Sequence, residues 1–232
     1  MKDFNKTKIV SCVMAHDNND YIKLCLDDLS KYTNEIYVNL NEPTKEVKEI
    51  VLSHPKLIKI IQTTNKNGKW NQGLQRDNTI RMLDDIKPDI VLFPDSDEVY
   101  PKNFKEQLKK FWEDEEKKTF WFRLFYIWGD KKHFRNDGLW KRIHHVRAYK
   151  WQPDISYIPY AGYACPTTFR SLPRETRYNS DTGIRHYGYM SEADRQRKYL
   201  RAGPGYNYLR NHEYKAHIDK SKLILELPKE MI

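Results

Sequence analysis

The stretch DSDE, residues 95 to 98, places three carboxylates, Asp95, Asp97 and Glu98, within four positions, directly behind the apolar run IVLF. Acids this close repel one another, so the pattern asks for a cation or for a turn whose backbone N–H groups the acids cap. A carboxylate pair on a loop after a buried strand suits a hard divalent ion, Mn2+ or Mg2+, which takes oxygen ligands and leaves positions for phosphate. Asp95 and Asp97 acting only as turn caps is the simpler alternative.

The elements that must hold this loop are legible in the hydrophobic pattern. KIVSCVM, residues 8 to 14, reads as a β-branched strand that stops at the turn and capping chemistry of AHDNNDY. YIKLCLDDLSKY then reads as a helix, EIYVNLN as a strand, KEVKEIVLSH as a helix and KLIKIIQT as a strand. NQGLQRDNTIRMLDDI supplies a third helix and DIVLFPD the strand that leads into the acids. Such alternation predicts an α/β fold, a mostly parallel sheet flanked by helices. Ligands of open sheets sit beyond the carboxyl ends of the strands, so AHDNND, NLNEPT, NKNGKW and DSDE are expected to line one crevice. Past residue 104, KNFKEQLKKFWEDEEKK reads as an amphipathic helix and TFWFRLFYIW as an aromatic strand. From there to Tyr189 the periodicity fades into an irregular, aromatic-rich subregion, before SEADRQRKYLRA opens a last helix on a Ser cap.

At 232 residues the chain is long enough for a full core. Its 39% hydrophobic and 13% aromatic content excludes disorder, although mean hydropathy is −0.88. Neither an eighteen-residue apolar run nor a signal peptide is present, which predicts a cytoplasmic protein. Cys12, Cys25 and Cys165 follow no metal-ligand spacing and read as buried thiols. A net charge of +9 favours polyanionic company: nucleic acid, anionic headgroups or nucleotide phosphates.

Four segments together, KIVSCVMAHDNNDYIKLCLDDL, GKWNQGLQRDNTIRML, DSDEV and HYGYMSEADRQRKY, resemble the family 2 glycosyltransferases of the GT-A fold. The resemblance implies a Rossmann-like donor-binding half, residues 1–104, and an acceptor-binding and C-terminal half of the same compact domain, residues 105–232. It implies a nucleotide-sugar donor, expected to be a UDP-sugar. Asp95 and Asp97 would hold the metal on the diphosphate, His186 would complete the metal shell, and Asp17 and Arg76 would meet the nucleotide. Asn39, where the family often has an acid at the end of the second strand, is the remaining nucleotide-contact candidate. An inverting transfer also needs a base for the acceptor hydroxyl. Asp137 is preferred over Asp130, because Arg135 and Trp140 beside it could orient a sugar or a base.

Two other classes compete: a nucleic-acid-binding module, favoured by the interleaved KRIHHVRAYKW, and a nucleotidyltransferase, which lacks here its Gly-rich triphosphate loop. The acceptor is expected to be a hydroxymethylated base in DNA, as for a phage protein acting in the host cytoplasm, or an envelope saccharide or lipid. The DNA reading requires Lys131, Lys132, Arg135, Lys141, Arg142, Arg147 and Lys150 to share one face, with Trp140 or Trp151 stacking on the exposed base.

Overall fold

The computed structural model describes residues 3–16, 20–64, 72–141, 144–153, 174–202 and 223–231. Asp17, the NKNGKW loop, Arg142 and Cys165 lie outside them. The chain alternates as expected through β1 (Ile9–His16), α1 (Ile22–Leu29), β2 (Glu35–Asn41), α2 (Lys45–Leu52), β3 (Leu57–Thr63), α3 (Gln72–Arg81) and β4 (Ile90–Leu92). After the acid loop come β5 (Glu98–Val99), α4 (Phe104–Glu113), β6 (Thr119–Ile127), β7 (His133–Arg135) and β8 (His144–Lys150). The last elements are β9 (Arg177–His186), α5 (Glu192–Ala202) and β10 (Ile224–Glu226).

Strands β3, β2, β1 and β4 are neighbours in that order and run parallel. Helices cover both faces, which is why the strands are apolar without strict alternation. Val13 and Ala15 pack with Ile22, Cys25, Leu26 and Leu29 of α1 on one side, whereas Cys12 packs with Ile80 and Leu83 on the other. The α1 spacing of one, four, five and eight places those four side chains on one stripe. Thr44 caps α2, its hydroxyl accepting the Val47 N–H at 3.2 Å.

Beyond β4 the sheet turns antiparallel through β8, β6 and β7 to β10. The aromatic-rich subregion carries regular strands where it is described: β9, polar in sequence, runs ten residues and lies parallel along β6. Their approach depends on Gly183, where an added Cβ would stand 2.3 Å from the Phe125 ring and 2.6 Å from the Arg123 carbonyl oxygen. Phe104 and Phe111 of α4 seal β6 through Phe120 and Phe122. Among the described residues no helix is long and apolar enough to cross a membrane.

Candidate active site

The acid loop leaves β4 at the carboxyl edge of the parallel strands, and Asp95 pairs with Met14 of β1 through an isolated bridge. Strand pairing then brings distant residues to it. β5 runs antiparallel to β9 with Glu98 opposite His186, and β6 sets Tyr126 beside the same histidine. β8 carries an extra residue at Arg147, a bulge against β6 between Phe120 and Trp121. Bulges re-aim side chains, and this one delivers a guanidinium to the acids.

Most of the cation that the acids need is arginine. Arg147, 1% exposed, grips Glu98 in a fork, Nε to Oε2 at 2.5 Å and Nη2 to Oε1 at 2.8 Å, and donates from Nη2 to Asp95 Oδ2 at 2.6 Å. The other Asp95 oxygen accepts from Arg76 of α3, whose guanidinium lies 5.9 Å over the Phe93 ring. Glu98 Oε2 also accepts the Asp95 N–H at 3.0 Å. Burial opposes ionisation of Asp95, but Arg147 and Arg76 outweigh it and hold that carboxyl well below the carboxylate range. Glu98 moves the other way: burial, opposed by Arg147 and reinforced by Asp95, pushes it up to about 7. Two coupled acids beside one arginine split in this manner.

Asp97 sits apart from that fork. Its Oδ1 is 3.8 Å from His186 Nε2, too long for a hydrogen bond. Two ligands each about 2.1 Å from one small cation stand roughly 3–4 Å apart, so the spacing fits shared ligation. Donor atoms of Asp95, Glu98 and His186 also lie within 4.8 Å of one another. This oxygen-rich set with one imidazole fits Mn2+ or Mg2+. The Gly188 N–H donates to His186 Nδ1 at 3.2 Å, which keeps the ring proton on Nε2. Ligation through Nε2 would move that proton and give up a bond of about 1 kcal/mol.

Other expected residues are placed differently. Asn39 is fully buried and ties β2 to its neighbours: its amide donates to Gln75 O and Thr79 Oγ1, and its carbonyl accepts from Thr63. Asp130 is exposed and closes its own turn on the N–H groups of Lys132 and His133. Asp137 is held by both nitrogens of the buried Arg135 fork, at 2.5 and 2.8 Å. Arg135 lies between Trp128 and Trp140, and Trp140 packs on Tyr126, whose ring centroid is 4.9 Å from that of His186. A small recess, with room for little more than a water, lies beside Arg76 and is lined also by Cys12, Met14, Thr79, Ile80 and Phe93.

The basic run does not form one face. Arg135 and Arg147 are buried in ion pairs, and Lys150 donates to the Asp114 carbonyl at 2.6 Å over the Phe111 ring. Of the described members only Lys131, Lys132 and Lys141 are exposed. Trp140 is enclosed and Trp151 is packed against the core. On α5, Arg195 donates to the Tyr189 and Met190 carbonyls, and Arg197 bonds to Asp20 and Asp194. Arg147 was visible in the sequence only as one of seven basic residues, because a one-residue bulge leaves no mark in the alternation of HHVRAYK.

A parallel sheet with an acid loop at its carboxyl edge, completed by an antiparallel extension, defines a Rossmann-like α/β protein of the GT-A fold. The family model "Glycosyl transferase family 2" matches residues 11–171, and the chain belongs to that family. No curated protein sequence matches it. Among solved structures, S. aureus TarS is 12% identical with a TM-score of 0.49, over 90% of this chain and 42% of that one. S. aureus TarS 1-349 in complex with UDP-GlcNAc is 20% identical at a TM-score of 0.40, over 52% and 34%. Glucosyl-3-phosphoglycerate synthase from Mycobacterium tuberculosis, with Mn2+, UDP and phosphoglyceric acid, is 16% identical at 0.39, over 53% and 44%. The chain thus spans less than half the length of these three structures.

Proposed function

We propose that the protein is a divalent-metal-dependent glycosyltransferase that moves a sugar from a UDP-sugar to a hydroxyl acceptor with inversion. The observation that carries this reading is the convergence, in a family 2 chain, of Asp95, Asp97, Glu98, Arg76 and His186 at the carboxyl edge of the parallel strands. Residues 1–104 form the donor half, with Arg147 and His186 contributed from residues 105–232. The nucleoside end is directed toward Arg76; Asp17, outside the described residues, is the other nucleotide contact of this reading, and Asn39 acts by holding β2 against α3 and β3. Asp97 and His186, with Asp95, would hold Mn2+ or Mg2+, which when bound neutralises charge on the leaving diphosphate. Arg147 holds Asp95 and Glu98 in place without substrate, so the loop does not reorganise during the reaction.

Asp137 is the base: its carboxylate takes the acceptor proton while the acceptor oxygen attacks the anomeric carbon and the bond to the phosphate oxygen breaks. It is better placed than Asp130, since it sits on the turn of Trp140, which packs toward His186 through Tyr126. The acceptor we propose is an envelope-type saccharide or lipid-linked hydroxyl, because the internal use of Arg135, Arg147 and Lys150 withdraws most of the support for DNA.

Thermal unfolding with a panel of UDP-sugars, in Mn2+ and in EDTA, tests the reading. A donor at a hundred times its dissociation constant adds about 2.7 kcal/mol to the native state. Stabilisation that needs both metal and UDP-sugar supports it; none with any nucleotide sugar defeats it. Salt-steep binding to duplex DNA, with transfer to hydroxymethylated DNA, would restore the DNA acceptor.

A further inference from the structure

Asp130 and Asp137 are both turn aspartates in sequence, and the structure uses their carboxylates differently. Asp130 accepts the N–H groups of Lys132 and His133, the ordinary work of a turn residue. Among the described residues the Asp137 carboxylate accepts from Arg135 alone, Nε to Oδ1 at 2.5 Å and Nη2 to Oδ2 at 2.8 Å. The turn does not need that carboxylate. Gly138, at φ +49°, supplies the left-handed residue, and the Trp140 N–H closes on the Asp137 carbonyl at 3.0 Å. Asn136 donates its N–H to the Leu223 carbonyl at 2.9 Å, and its side chain accepts from Arg123.

The Arg135 side chain is only 2% exposed, with the Trp128 and Trp140 ring centroids 4.9 and 5.1 Å from its guanidinium, whereas the Asp137 side chain keeps 28% of its surface. Taking a guanidinium out of water is costly, and the aromatic rings and the fork offset that cost. Rings on either side leave the guanidinium plane little freedom, and a fork passes that plane on to the carboxylate. The outcome is a solvent-facing carboxylate with a fixed orientation. Each of its oxygens has two acceptor positions, and the fork occupies one on each. We propose that Arg135 is a positioning residue for the transfer: it sets the rotamer of Asp137 so that a remaining acceptor position of the carboxylate meets the acceptor hydroxyl. The inference rests on the reading of Asp137 as the base and adds what aims it.

The test is steady-state turnover of the full chain in Mn2+ with UDP-glucose, UDP-galactose and UDP-N-acetylglucosamine, beside calorimetric titration with UDP. Turnover is read as UDP release, with water and with glycerol as the hydroxyl. Arg135→Lys keeps the charge and loses the fork. Its kcat should fall roughly 10- to 100-fold, the loss expected of a displaced reacting group, with UDP affinity and donor KM unchanged. In an Asp137→Asn background the same substitution should cost no further turnover, because no base is left to aim; a merely structural role would cost the same factor in both backgrounds. Should the Lys variant not fold, Trp128→Leu, which strips one ring from the guanidinium, is expected to give the same pattern. An unchanged kcat, a loss shared with UDP affinity, or a loss that persists beside Asp137→Asn overturns the role of Arg135. Asp137→Asn with wild-type kcat overturns the base reading instead, and a wild-type protein that releases UDP from no donor overturns the transferase reading; the role of Arg135 falls with either.

Discussion

Two clusters in this protein are built from the same parts, two aspartate or glutamate side chains closed by arginine, and they behave in opposite ways. At the acid loop, Asp95 and Glu98 are joined by Arg147, and the Arg147 and Glu98 side chains are 2% and 0% exposed. At the start of α5, Asp194 is joined by Arg197 to Asp20, whose side chain is 61% exposed. Asp194 also completes a reciprocal cap, accepting the Ser191 N–H while its own N–H donates to Ser191 Oγ, both at 3.0 Å, and it accepts from Tyr21. The difference is solvent. Asp194 is itself buried, but water reaches Arg197 and Asp20 and screens their pairs, so the worth of the cluster is mainly that of a helix cap, whereas the enclosed Arg147 and Glu98 depend on one another completely.

The pH responses should differ in sign. Burial raises the Asp194 carboxyl, but hydrogen bonds from Ser191 and Tyr21 bring it below 3.8 in the folded state. Its contribution is therefore present above the ordinary carboxylate range and lost as pH falls through it. Glu98 has a folded value raised from 4.5 to about 7. Its contribution is present at low pH and lost as pH rises between those values.

The largest effect should come from Arg147→Met, which strands Glu98 and one Asp95 oxygen in the interior and costs about 3–5 kcal/mol in denaturant unfolding. Arg147→Met with Glu98→Gln should recover part of that loss; a double variant no more stable than the single one would show that the fork is not the reason. Asp97→Asn lies next in size and acts on activity. Its carboxylate is outside the fork, so the fold should survive while transfer falls about 10²- to 10³-fold. Wild-type turnover that remains EDTA-sensitive in this variant would put the metal elsewhere. Asp194→Asn should cost about 1 kcal/mol as a lost cap and flatten the decline of stability below about pH 4. Arg197→Ala should cost less than about 1 kcal/mol, and the loss should shrink in high salt. A cost for Arg197→Ala equal to that of Arg147→Met would erase the distinction between the two clusters.

How far the sequence reached can be read at these same residues. The parallel half was legible because each buried strand or amphipathic helix writes its own period over seven to ten residues, and DSDE announced itself by charge density alone. The Ser cap that opens α5 was legible too, because a cap is a contact over three residues. His186 was reached through the resemblance to family 2, not through its local setting.

The sequence by itself determined the α/β order, the crevice edge and the acids that face it, since these follow from local periodicity and from residue type. Only the tertiary structure decided what neutralises the acids and which histidine stands beside them. Arg147 and His186 arrive on strands whose register is set by packing between segments dozens of residues apart, by the close approach at Gly183 and by a bulge that displaces the alternation by one residue. A displacement of that kind reverses which side of a sheet a side chain faces without altering a letter of its neighbourhood.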